Sequence, residues 1–411
     1  MNVDTMRAID RWIGSPLCFL LTLLVRIVPA FRAGPAKPRN VLFIELSEMG
    51  STILADPAMQ KARRVLDAEL FFVIFKRNVE SLDFLRTIDR SRTFTIRNDN
   101  FLVLAIDAFR FLLWTRANNI DTTIDLELFS RVTALLSGLS GASRRVGFYR
   151  FHNEGLYRGE LLTHRVAYNP HIHISKNFIA LINALSATQP EVPYSKTVIG
   201  DDEIVLRKAT VERAAGDDMR ERVRKICPAY QPDRHRIVLL NPNASELLPQ
   251  RRWPRDRFSA LAAMILAEWD DTLILLTGAP GEKMEAGQLA QAIGHSRVVN
   301  FAGQVTLAEL LPLYSISEVM VTNDSGANHF ASVTDLPIIA LFGPETPALY
   351  GSLGNSEAIY AGLACSPCVS AANHRRTACR DPVCMQAIHP EQVMKSVRRI
   401  LAPATAEGPA H

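Results

Sequence analysis

One pattern limits this chain more than any other, and it occurs twice: short apolar runs alternate with stretches of helical periodicity. The first series opens at Asn40 with VLFIEL, turns at Gly50 into a helical stretch ending near Leu66, and continues with LFFVIF at 70–75. Helical periodicity returns at 79–86 and 101–116, followed by a strand-like run at 120–126, a helix at 129–139 and a short strand at 145–148. The second series opens at Arg236 with IVLLNP. It alternates TLILLTG, VVNFAG, VMVTND and PIIALFG with helices at 254–268, 282–293 and 307–315 and a last one ending at Val333. Short apolar runs bounded by turn residues are buried strands, and strands separated by helices pair in parallel through crossovers. The chain is therefore expected to be α/β, with two Rossmann-like, doubly wound domains facing a cleft and ligand at the carboxyl ends of the strands. Residues 186–208, rich in Pro, Thr and charge, are the expected crossing, which makes the domains 40–208 and 209–411.

Residues 1–39 stand apart. LCFLLTLLV at 17–25 follows Pro16 and is interrupted by Arg26 and Pro29. A spanning helix wants about 20 apolar residues, and this run has roughly half that before a charge. No small-residue cleavage site follows, as a signal peptide would require. The segment suits a helix at the membrane interface, with Trp12 and the arginines at headgroup level and anionic lipid as partner. A helix packed into the core is the other reading, and 34–39 is a linker in either case. The chain has 46 basic and 42 acidic residues, and residues 1–39 alone, with six basic and two acidic, supply the whole net charge of +4. The remainder is balanced, which argues against nucleic acid as a partner. Six scattered cysteines demand no oxidising compartment, so the folded part is expected in the cytoplasm.

Three strand ends carry polar groups suited to a nucleotide. In VTNDSGANHF at 321–330, Gly326 marks a turn into a helix whose free N–H groups suit phosphate, and Ser325 and His329 add hydrogen bonds. As local structure alone, Asp324 and Ser325 would cap the helix and His329 would pack. NPNAS at 241–245 precedes QRRWP at 250–254, where Arg251 and Arg252 can neutralise a pyrophosphate or form a solvated basic loop. In TGAPGEK at 277–283, Glu282 can accept a ribose hydroxyl or simply start a helix.

Together these segments resemble glycosyltransferase family 9, the heptosyltransferases of lipopolysaccharide core assembly. The resemblance runs from about residue 41 to residue 401 and is strongest in the second half. It is carried by NDSGANHFA with PIIALFGPETPALYG, by RRWP, and by Cys365-Ser-Pro-Cys368 through Cys384-Met385. It implies the GT-B architecture and a single inverting displacement without metal. The donor, an ADP-heptose-like nucleotide-sugar, would be a co-substrate and no other cofactor would be needed. The acceptor would be the lipopolysaccharide core or another lipid-linked glycan, met at the cytoplasmic face of the bacterial inner membrane by a peripheral or monotopic protein. Arg251, with Arg252 and Ser245, would hold donor phosphate and Glu282 the ribose; Asp324, Ser325, Gly326, Asn328 and His329 would line the pyrophosphate site.

One position departs from the family. An acid usually follows the glycine of the first strand's turn and takes the acceptor's proton, but here Gly50 is followed by Ser51. A serine cannot do this at neutral pH without its own base. Glu48 is the expected catalytic residue and Asp56 the alternative. With neither, the chain would be a nucleotide-sugar binding protein without turnover; a nucleotide-sugar epimerase is a further alternative. Cys365, Cys368, Cys379 and Cys384 are expected as reduced thiols or a local clip, with zinc a less fitting use of their spacing.

Overall fold

The computed structural model describes residues 3–27, 37–151, 155–373 and 375–402. The linker expected at 34–39 lies outside the described residues up to residue 36. The chain forms two compact units: Met1–Arg207 with Ser370–Arg375, and Lys208–Val369 with Arg376–His411.

In the first unit β1 (Asn40–Ile44), β2 (Glu69–Phe75), β3 (Thr93–Ile96), β4 (Thr122–Asp125), β5 (Arg144–Tyr149) and β6 (His164–Ala167) form one parallel sheet, ordered β3-β2-β1-β4-β5-β6. The central strand β1 is flanked in register, Val41 lying opposite Leu70 on one side and Thr122 on the other. Covered on both faces, it carries no polar residue between Val41 and Ile44. Its helices are α1 (Val3–Ile9), α2 (Ser15–Ile27), α3 (Met49–Leu66), α4 (Phe101–Ala117), α5 (Arg131–Leu139) and α6 (Ile174–Leu185). The helix expected at 79–86 is instead a 3-10 segment, Lys76–Asp83.

A π-helical turn, Asp10–Gly14, joins α1 to α2. One face of this N-terminal helix is packed: Cys18 and Leu21 are buried with Ala134 and Leu161. Asp10 accepts hydrogen bonds from the backbone N–H groups of Arg131 and Val132 (2.7 and 3.0 Å) at the start of α5, and pairs with the Arg131 guanidinium at 2.9 Å. A Cβ on Gly14 would lie 2.8 Å from Cβ of Arg131, so glycine is needed for this approach. Core packing thus describes one face of the segment. The opposite face is exposed and apolar.

In the second unit β7 (Arg236–Asn241), β8 (Thr272–Leu276), β9 (Val298–Asn300), β10 (Val319–Asn323), β11 (Ile338–Phe342) and β12 (Ser356–Tyr360) form a second parallel sheet, ordered β12-β11-β10-β7-β8-β9. Around it lie α7 (Arg213–Ile226), α8 (Arg255–Glu268), α9 (Lys283–Ile293), α10 (Leu310–Ser315), α11 (Gly326–Ala331), α12 (Pro347–Tyr350), α13 (Val383–Gln386) and α14 (Pro390–Leu401). Its core gathers Val238, Leu240, Trp253, Phe258, Ile274 and Val321. Counted from its own first strand, each sheet has the order 3-2-1-4-5-6. Chain direction across such a sheet reverses between its first and fourth strands, and ligand binds there. Those points are β1/β4 and β7/β10.

Candidate active site

At the β1/β4 point the chain leaves β1 through Glu45, Leu46, Ser47 and Glu48. Glu48 is the N-cap residue of α3, with extended backbone and no capping hydrogen bond from its side chain. Its Oε2 accepts from Ser51 Oγ at 3.4 Å, and its Oε1 pairs with Arg375, on the short segment that returns to this unit. Gly50 is not at a turn as expected; it is the second residue of α3, because the helix already begins at Met49. Asp56 is fully buried and holds Thr87 Oγ1 and Gln60 Nε2, so it faces the core rather than a substrate.

Glu127, two residues beyond β4, escaped the sequence reading. Its Oε1 accepts from the N–H groups of Leu46 (3.0 Å) and Ser47 (2.9 Å) and from Ser47 Oγ (2.8 Å), which ties the β4 loop to the β1 loop. Burial pushes its pKa up against those hydrogen bonds. The buried Glu45 carboxyl is held well above the usual range, first by burial and then by Glu127 and Glu48. A glutamate raised by folding contributes stability below its unfolded pKa and loses it as pH rises through the folded one. Glu45→Gln is accordingly expected to raise the melting temperature at pH 7.5 by about 2–4 °C, with no difference at pH 4. A pH-independent difference in differential scanning fluorimetry would contradict this.

Beneath the loop, Asp125 at the end of β4 pairs with Arg158, and both side chains are fully buried. Arg158 also donates to the carbonyls of Glu127 (3.3 Å) and Phe148 (3.4 Å), so one guanidinium braces two strand ends. Nearby, Phe129, Tyr149, Phe151, Tyr168 and Ser370–Ala372 line a pocket of ≈ 340 Å³.

At the β7/β10 point, Asn323 organises the loops. Its side chain donates to the carbonyl of Pro242 (2.9 Å) and accepts from the N–H of Trp253 (2.9 Å), fixing the chain on either side of Arg251 and Arg252. The indole N–H of the buried Trp253 donates to the carbonyl of Ile388 at 2.9 Å. The two arginines diverge. Arg251 Nη1 reaches the buried Asp324 Oδ2 at 3.3 Å. Arg252 instead donates to the carbonyl of Ala244 (2.9 Å) and pairs with Glu246. Ser245 is exposed, its Oγ accepting from Leu247 N–H at 3.2 Å. Ser325 is the N-cap of α11 without a side-chain capping bond, and its Oγ lies 3.3 Å from Thr322 Oγ1. Gly326 is the first residue of α11 and has no left-handed backbone; a Cβ there would meet the Phe330 ring at 3.3 Å. Asn328 and His329 are buried on α11.

Glu282 accepts from the N–H of Ala279 at 2.7 Å, one bond of a carboxylate at a helix start. A Cβ on Gly278 would lie 2.8 Å from Glu282 Oε2 and 3.1 Å from Asn243 Nδ2, so these side chains close on the same glycine at the end of β8. Asn243 Nδ2, Arg251 Nε and both amide atoms of Asn328 are buried without a hydrogen-bond partner among the described residues. Buried polar atoms rarely go unpaired. Four of them lie on segments following β7 and β10, which makes these loops the candidate site for a polar ligand.

Cys365 is exposed, Cys368 and Cys379 are partly buried and Cys384 is buried; all four are thiols rather than disulfides. Among the described residues no group of three or more His, Cys, Asp or Glu side chains is arranged to hold a metal.

The family model for glycosyltransferase family 9 (heptosyltransferase) matches residues 112–378. Lipooligosaccharide heptosyltransferase 2 of Haemophilus influenzae is 31% identical over 126 residues, which is 30% of this chain and 36% of that protein. Lipooligosaccharide heptosyltransferase 2 of Campylobacter jejuni is 25% identical over 172 residues, 41% of this chain and 52% of that one. The chain thus spans about a third to a half of the length of these curated relatives. The structure of E. coli ADP-heptose lps heptosyltransferase II superposes with a TM-score of 0.67 at 16% identity, over 88% of this chain and 98% of that one. A glycosyl transferase family 9 structure from Veillonella parvula gives 0.67 at 17% identity, over 90% and 99%. At these identities the superpositions establish the fold.

Proposed function

Because the chain belongs to glycosyltransferase family 9, we propose that it is an inverting, metal-independent glycosyltransferase. It moves a sugar, a heptose on an ADP-type nucleotide, onto a lipopolysaccharide-core or other lipid-linked glycan. The observation that carries this reading is the group of unpartnered buried polar atoms on Asn243, Arg251 and Asn328. A diphosphate and ribose would supply what these donors and acceptors lack.

In the proposed reaction the acceptor oxygen attacks the anomeric carbon as the bond to the nucleotide diphosphate breaks, and the acceptor's proton passes to Glu48. Arg251 meets the charge that develops on the leaving diphosphate. The Asp324 carboxyl pairs with Arg251, so its role is to hold that guanidinium in place rather than to touch phosphate. Ser325 and His329 add hydrogen bonds, Asn328 binds beside them, and Gly326 keeps the approach open. Glu282 takes the ribose, next to Asn243. Arg252 and Ser245 hold the loop between β7 and α8. The aromatic pocket of the first unit suits the acceptor's sugar rings, which pack on aromatic faces. The lipid-borne acceptor puts the protein at the cytoplasmic face of the bacterial inner membrane, peripherally attached.

Arg251→Ala and His329→Ala are each expected to weaken nucleotide-sugar binding about ten- to a hundredfold. Unchanged affinity of both folded variants in calorimetry would remove the phosphate-site assignment. A melting-temperature screen with ADP-, UDP- and GDP-sugars identifies the donor, since only a bound one stabilises. Ser51 in place of an acid favours a second reading, a nucleotide-sugar binding protein without turnover. Donor binding with no transfer to any acceptor would select it.

A further inference from the structure

Two helices of the first unit present apolar stripes to solvent that neither its core nor its site uses. On the N-terminal helix, Ile13, Leu17, Leu20, Leu24 and Ile27 are all exposed, at intervals of four and three residues. This is one stripe of the helix's solvent side, next to the packed line of Gly14, Cys18 and Leu21. On α4, Leu102, Ile106, Phe109 and Leu113 repeat the same intervals and are also exposed, Leu102 by 69% and Phe109 by 63%. The other side of α4 packs on the core through Leu104, Ala108 and Phe111. A helix apolar all round belongs wholly inside a protein or against lipid. This one is covered on one side only. α5 packs against both α2 and α4, and Met6 of α1 joins the cluster that holds Leu104 and Ala108, so both stripes flank one helix layer.

Charge selects the occupant. Between residues 5 and 27 the only acid is Asp10, and it turns inward onto Arg131. Between 101 and 117 the only acid is Asp107, buried and held by Arg97 through two bonds at 2.8 Å. The outward faces therefore carry apolar side chains and arginines, with Arg11 stacked on the exposed Trp12 (5.3 Å) and Arg110 and Arg116 exposed on α4. A second copy docking here would bring arginines against arginines, and Glu160, beside the N-terminal helix, is already paired with Arg26. An anionic lipid surface complements this composition.

We infer that the outward faces of the N-terminal helix and α4 form one lipid-docking surface, on which both helices lie in the membrane interface with their inner faces on the protein. The segment Thr5–Ile27 is long and apolar enough to cross a bilayer. Its bonds through Asp10 and Cys18 to α5, and of Thr22 Oγ1 with the N–H of Glu160 (2.9 Å), hold it along the unit instead. This inference rests on the peripheral-membrane reading above and adds α4 to it.

The test is flotation of the full chain with phosphatidylcholine vesicles, with and without phosphatidylglycerol. Leu102→Glu/Phe109→Glu removes two apolar side chains from the lipid and is expected to weaken partitioning about a hundredfold, with melting temperature and nucleotide affinity unchanged. The neutral pair Leu102→Gln/Phe109→Gln gives the same direction should the charged one fail to fold. Leu20→Glu/Leu24→Glu on the other stripe is expected to release the protein comparably. If the α4 variants float like the parent while the Leu20/Leu24 variant does not, the α4 surface is overturned and peripheral attachment stands. A parent that fails to float at all overturns both. If the parent is dimeric by light scattering and the α4 variants are monomers that still float, the face binds a second copy and the inference is overturned.

Discussion

Glu48→Gln is expected to lower turnover by about a hundred to ten thousand fold, the usual contribution of a general base, while leaving nucleotide-sugar affinity unchanged. The substitution preserves size and most hydrogen bonding and removes only basicity. The geometry favours this residue over its neighbours. Its Oε2 lies within 3.4 Å of Ser51 Oγ, so its carboxylate stands one hydrogen bond from the position where the family's acid is expected. Arg375 pairs with the other oxygen and so fixes the orientation of the carboxylate. Asp56 is enclosed and Glu45 is buried, so neither can meet an acceptor hydroxyl. Ser51→Asp is expected to be tolerated. A fully active Glu48→Gln enzyme in a steady-state transfer assay would end the assignment and turn attention to Glu127.

Arg158→Met is expected to destabilise the first unit by about 3–5 kcal/mol, the cost of leaving a buried charge without its partner. Desolvation is severe here, as burial pulls the Arg158 pKa down to about 10. Removing the guanidinium strands Asp125 and also frees the carbonyls of Glu127 and Phe148. Replacing both partners, as in Asp125→Leu/Arg158→Met, is expected to recover much of the loss, because two apolar side chains leave no charge behind. Urea unfolding of the two variants decides the matter. Equal destabilisation would mean that the carbonyl contacts, not the ion pair, carry the effect.

The interior of both sheets was legible in the sequence because a strand covered on both faces must be apolar throughout, as in VLFI of β1 or IIALF of β11. The outer strands β3, β6 and β12 escaped notice. Their residues are half exposed, and TFTI, HRVA and SEAIY carry no buried run. Strand ends drew attention to the Arg251 and Asp324 segments because polar residues follow an apolar run there directly, a pattern that a helix cap or a basic loop would also give. How neighbouring arginines divide was not legible: Arg251 and Arg252 are adjacent in sequence yet take different partners, a choice set by Asn323 holding the loop from β10. Glu127 looked like an ordinary loop acid, and Arg375 lies 327 residues from Glu48 with no local pattern linking them.

The short return of Ser370–Arg375 to the first unit bears on how such a protein can be inherited. A recombination joint near residue 208 would seem to exchange whole modules, one half for another. It would also carry off the cation that accompanies Glu48, since that residue is encoded within the other half. A chimera would set one ancestor's glutamate against another ancestor's residue at 375, so the halves are not free cassettes. Positions 48 and 375 form one heritable unit written at distant places in the gene.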